Sequence, residues 1–96
     1  MVKKIAVLVR DRQAEALRMS GGLTLLDDEV YVYVLDKRLE SNKIIDKHLD
    51  MVQNMLEIPM FTNYKDNPYE YLTNEELANR LLNYEIVIPY WFATIS

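Results

Sequence analysis

The chain predicts an α/β protein: a three-layer α/β/α sandwich built on a mainly parallel sheet of four strands. Three observations lead there. Apolar runs rich in β-branched residues recur at Lys3–Val9, Glu29–Leu35, Ile58–Thr62 and Glu85–Pro89. The clearest of them, Ile5-Ala6-Val7-Leu8-Val9, is continuous and not alternating, as in strands covered on both faces. Between successive runs lie helix-favouring segments long enough for right-handed crossovers between parallel neighbours.

The elements follow in order. After the first strand, Asp11 is a candidate N-cap for Arg12-Gln13-Ala14-Glu15-Ala16-Leu17-Arg18-Met19, a helix expected to run to about Asp27. Val30-Tyr31-Val32-Tyr33-Val34 is almost wholly β-branched and aromatic, and marks the second strand. Asp36–Glu40 reads as a charged loop, and Ser41 can cap a second helix extending to about Leu56. Ile58–Thr62 is a short third strand beside Pro59, and Asn63–Tyr71, with Asp66-Asn67-Pro68, is a turn-rich loop. Thr73-Asn74-Glu75-Glu76 matches a capping box, and Leu72 with Leu77 fits a hydrophobic staple, so the third helix starts at Thr73 and ends near Tyr84. Glu85–Pro89 is the fourth strand, and Tyr90-Trp91-Phe92-Ala93-Thr94-Ile95-Ser96 remains as an aromatic tail. The strand order expected is 2-1-3-4, of flavodoxin-like type, within a single domain over residues 1–96.

Composition excludes several classes of function. Of 96 residues 50% are hydrophobic and 27% charged, ordinary for a folded domain. The net charge is −4; residues 1–48 carry 9 basic and 8 acidic groups, residues 49–96 carry 2 and 7, which gives no basic footprint for nucleic acid. There is no cysteine, hence no disulfide, no thiolate metal site and no thiol nucleophile. No apolar run approaches the ~20 residues of a membrane span, and Met1-Val2-Lys3-Lys4 opens a strand and not a signal peptide, so a cytoplasmic location is expected.

Motifs for chemistry are sparse. Gly21 and Gly22 are the only glycines and lie inside the first helix, too deep to cradle a phosphate after the first strand. They would instead let that helix approach a neighbour closely. Asp27-Asp28-Glu29 lacks histidine and calcium-loop spacing, so no metal is expected. Ser20, Ser41 and Ser96 sit in no nucleophile elbow. The single histidine, His48, falls within a broad apolar arc of the second helix formed by Ile44, Ile45, Leu49, Met51, Val52, Met55 and Leu56, and reads as a partly buried or interface residue. No catalytic residue and no cofactor are assigned.

Two candidate sites remain. Ligands of open α/β sheets bind outside the carboxyl ends of strands where strand order reverses. With order 2-1-3-4 that point lies between Arg10-Asp11-Arg12-Gln13 and Asn63-Tyr64-Lys65. Arg10, Arg12 and Gln13 at a helix N-terminus, with Tyr64 and Lys65 opposite, would make a pocket for a small anion. The second candidate is an oligomer interface. On the first helix Ala16, Met19, Leu23 and Leu26 cluster on one side, and Ala14, Leu17, Gly21 and Leu25 on another. A helix with one buried face needs only one such stripe. The second stripe is expected to meet either another copy or an adjacent helix, and Tyr90, Trp91 and Phe92 add an aromatic patch to the interface reading.

Lys4-Ile5-Ala6-Val7-Leu8-Val9, Glu15-Ala16-Leu17-Arg18-Met19-Ser20-Gly21-Gly22-Leu23-Thr24-Leu25 and Glu29-Val30-Tyr31-Val32-Tyr33-Val34-Leu35 together resemble the DsrE/DsrF-like family. The resemblance implies a small cytoplasmic α/β protein of sulfur relay or sulfur oxidation, working as a homo-oligomer or beside a related DsrE-like subunit. Active members of that family carry persulfide on a cysteine at or after the third strand. Here that region reads Met60-Phe61-Thr62-Asn63-Tyr64-Lys65, so persulfide transfer by this chain is chemically excluded. The expected role is a non-catalytic oligomeric module, with small-anion binding at the strand ends as the alternative.

Overall fold

A computed structural model of the chain describes residues 3–26 and 28–90. The order is β1 (Lys4–Val9), α1 (Gln13–Leu23) with a 3₁₀ turn at Thr24–Leu26, β2 (Glu29–Val34), α2 (Lys43–Asp50) with a π-helical turn at Met51–Met55, β3 (Met60–Thr62), β4 (Glu70–Tyr71), α3 (Asn74–Leu81) and β5 (Ile86–Tyr90). All strand pairs are parallel, and helices cover both faces of the sheet. The sandwich is therefore as the apolar runs predict.

The sheet differs from expectation in two ways. It has five strands, because the two-residue β4 within the expected loop pairs Phe61 with Glu70 and Thr62 with Tyr71. Its order is β4-β3-β2-β1-β5, so the four expected strands run 3-2-1-4 and not 2-1-3-4. The reason lies in which helices touch. Right-handed crossovers that step β1 to β2 to β3 in one direction place α1 and α2 on the same face. They pack there over Ile5, Val7 and Val9 of β1 and Val30, Val32 and Val34 of β2. The chain then returns across the sheet to place β5 beside β1, which puts α3 on the opposite face, over Ala6, Leu8, Tyr33 and Leu35. Gly21 lets α1 lie close against the π turn that follows α2: a side chain there would meet the Met51 methyl, and Met51 Sδ lies 3.3 Å from the Cβ position.

Local chemistry accounts for the helix ends. α3 carries the expected capping box, and Leu72 and Leu77 are buried in one cluster as a staple requires. α2 is capped by Asn42 in place of Ser41; the Asn42 side chain accepts from the N–H groups of Ile44 and Ile45. α1 begins one residue later than the Asp11 cap predicts and has no side-chain cap, because the Asp11 carboxylate is engaged by Arg10 and Lys37. After the π turn Glu57 takes a left-handed backbone (φ 51°), ending the helix at a position that suits glycine. Tyr90 belongs to β5 and not to a tail, and its carbonyl accepts from the N–H groups of Arg10 and Asp11. That bonding turns the backbone of Val87 and Pro89 away from β1, so Pro89 removes a donor from the open edge of the sheet.

Candidate functional site

The carboxyl ends of the strands form a polar rim whose side chains are largely committed to one another. Arg10 Nε donates to Asp11 Oδ2 at 3.1 Å and Nη1 lies 3.8 Å from Asp36 Oδ2. Lys37 Nζ reaches Asp11 Oδ1 at 2.7 Å, and Arg12 pairs with Glu15 while its guanidinium stands 5.5 Å from the Tyr90 ring centre. Asp36, held at a left-handed φ of 67°, is locked by a reciprocal pair: its N–H donates to Asn63 Oδ1 at 2.7 Å and Asn63 Nδ2 donates to its carboxylate at 3.0 Å.

Two buried amides hold the loop after β2. Gln13 Nε2 donates to the carbonyls of Arg10 and Arg38, and Gln13 Oε1 accepts from the Glu40 N–H. Asn67 accepts from the Leu39 N–H and donates to the Lys37 carbonyl and to Thr62 Oγ1. Gln13, expected to face a ligand, thus spends its amide on the backbone.

The observed strand order separates the two walls expected for an anion pocket. Strand order reverses between β1 and β5, so Arg10 and Arg12 stand at the reversal. Tyr64 and Lys65 follow β3 on the far side of β2, and Lys65 Nζ lies 5.7 Å from the Tyr71 ring centre. The cavity at the N-terminus of α1, about 310 Å³, is lined by Arg12 and Gln13 with Asp11, Glu15 and Glu40, and by neither Tyr64 nor Lys65. Arg12, the guanidinium of this lining, is already paired with Glu15, and Glu40 stands in the same wall, so the cavity offers an incoming anion no unpaired guanidinium.

A larger cavity, about 560 Å³, runs between the C-terminal half of α1 and the π turn. Gly21 and Gly22 form its floor, Met51, Met55, Leu56 and Leu25 its apolar walls, and Arg18, Lys47, His48 and Asp50 its rim. Leu25 is 81% exposed and Met55 72%. Asp50 accepts from Asn54 Nδ2 at 2.7 Å, whereas Arg18 and Lys47 make no ion pair among the described residues. His48 is half-buried on this rim.

The stripe proposed for association divides across this groove. Leu17 is fully buried in the chain's own core, Ala14 is half-buried against it, Gly21 meets Met51, and Leu25 stands in the open. Tyr90 is half-buried on β5, while Trp91 and Phe92 lie outside the described residues. The buried part of the second stripe packs within the chain, with Gly21 against Met51, and its exposed end, Leu25, lines the groove. The groove residues on the second helix, Met55 and Leu56 with Lys47 beside them, had no place among the sequence candidates. Their signal was the breadth of the apolar arc, seven residues on a helix that one sheet face cannot cover.

Among the described residues no group of three His, Asp or Glu side chains is placed to hold a metal ion, and no helix is long and apolar enough to cross a membrane. No family model, curated protein or solved structure matches the chain.

Proposed function

We propose that this chain is a non-catalytic module that acts by associating with further copies of itself, and that the groove between α1 and the π turn is the surface it uses. One observation carries the reading: Leu25, Met55 and Leu56 hold a contiguous apolar surface open to solvent beside a glycine floor, which no described residue of the chain covers. The occupant is a second copy. The resemblance of residues 4–35 to DsrE/DsrF-like proteins supports a setting in sulfur or redox metabolism, in which a cysteine-free subunit serves as partner and not as carrier. This reading stands ahead of small-anion binding, because the strand-end cations already face carboxylates.

Leu25→Asp tests it. The side chain is 81% exposed, so the fold tolerates the change, while a charge in the groove opposes association. Light scattering is expected to show a lower mass for the variant than for wild type at equal concentration. Equal masses above that of a monomer would move the interface elsewhere.

A further inference from the structure

We infer that the groove receives α3 of the next copy, with Leu82 as the inserted side chain, so that association runs head to tail. The inference rests on the self-association just proposed and specifies how it occurs. Leu82 and Leu25 are the two most exposed large apolar side chains among the described residues, at 83% and 81%. They lie on opposite faces of the sheet, because α1 packs on one and α3 on the other. α3 turns Leu77 and Leu81 toward its own core, where Leu72 from before the cap joins them, and Leu82, at its C-cap, stands outside it. Glu75, Ala78, Asn79 and Leu82 follow the three- and four-residue spacing of a single helix stripe, and all are exposed. The small Ala78 allows close approach, and Glu75 lies two turns, roughly 10.5 Å, along the helix from Leu82.

Charge selects this partner over a groove-to-groove pair. The groove rim presents Arg18 and Lys47, neither in an ion pair among the described residues, against a single rim carboxylate, Asp50, which accepts from Asn54. A two-fold contact centred on this groove would bring two cationic rims together, with Asp50 the rim carboxylate that each could offer the other. The α3 stripe offers Glu75, which has no ion pair among the described residues. A socket on one face and a knob on the other make a heterologous contact, which continues from copy to copy until it closes as a ring or grows as a chain.

The experiment uses two full-length variants, Leu25→Asp to disable the socket and Leu82→Asp to disable the knob. Each alone is expected to lose all masses above the 11.4 kDa monomer. Mixed in equal amounts, they are expected to form a pair and nothing larger, because one variant keeps the knob and the other the socket. Far-UV circular dichroism identical to wild type establishes that both fold. Lys47→Glu should weaken assembly, and adding Glu75→Lys to it should restore assembly. Wild-type-like assembly of Leu82→Asp would overturn this inference while leaving self-association intact. Two monomeric variants that stay monomeric when mixed would overturn it as well. A wild-type chain that never exceeds the monomer would remove both readings.

Discussion

Met51 occupies the space that a side chain on Gly21 would need, with its sulfur 3.3 Å from that Cβ position, whereas a Cβ on the adjacent Gly22 meets nothing within 4 Å. Two neighbouring glycines in one helix therefore have different consequences. Gly22→Ala is expected to raise stability by about 0.5–1 kcal/mol through helix propensity. Gly21→Ala must first displace Met51, and is expected to gain less or to lose stability. Urea unfolding of both variants at matched concentration checks the order, and equal gains would mean that Met51 moves freely.

Asn67 is a larger liability. Its side chain satisfies the buried N–H of Leu39, the carbonyl of Lys37 and the hydroxyl of Thr62. Asn67→Ala leaves the Leu39 N–H and the Lys37 carbonyl without this partner, while Thr62 Oγ1 keeps its bonds to the Val34 carbonyl and the Tyr64 N–H, and is expected to cost about 2–3 kcal/mol, given ~1–3 kcal/mol for each buried polar group left unsatisfied and partial relief by water. The urea midpoint reports it. A change below about 0.5 kcal/mol would mean the loop does not need this clamp.

Beneath α3, Tyr33 and Tyr84 share a hydrogen bond of 2.6 Å between hydroxyls, and burial, followed by that bond, drives the Tyr84 hydroxyl far above the ordinary tyrosine range. Tyr33 is fully buried. Tyr84→Phe strands its hydroxyl and is expected to cost about 1–2 kcal/mol, whereas Tyr33→Phe with Tyr84→Phe removes both polar groups and should cost less than the single change. A double-mutant cycle on unfolding free energies decides. Strict additivity would mean the two hydroxyls are not coupled.

The α3 cap has an acid limit. Hydrogen bonds from the Thr73 backbone N–H and hydroxyl hold the Glu76 carboxyl below its ordinary value of 4.5. A depressed folded value means that the contribution is complete above the unfolded value and is lost as pH falls through the folded one. Glu76→Gln should therefore narrow the gap to wild type as pH drops below 4.5, with Thr73→Ala costing about 1 kcal/mol at neutral pH. Thermal unfolding of the three proteins between neutral and acid pH gives the comparison, and a gap independent of pH would contradict the assignment.

How much of this was legible follows from where the information sits. The strands and the α3 cap are local patterns, and Thr73 with Glu76 and Leu72 with Leu77 fall where spacing alone places them. Strand order is not local: it goes with α1 and α2 sharing a face, where contacts such as Gly21 against Met51 join positions 30 apart in the chain. Strand order also decides the site: Tyr64 and Lys65 would face Arg10 and Arg12 only with β1 and β3 as neighbours, and β2 lies between them. β4 was hidden because two residues after Pro68 have no period to read. Gln13 misled for another reason: a polar residue at a helix start looks the same in sequence whether it meets a ligand or a backbone carbonyl.

The central claim is that the chain associates with itself, and sedimentation velocity of the unmodified protein from low to high micromolar concentration tests it most directly. The expected result is a mass that rises with concentration beyond a dimer, falling again with added salt as the Lys47–Glu75 contact is screened. A single species at 11.4 kDa across the whole range would contradict it.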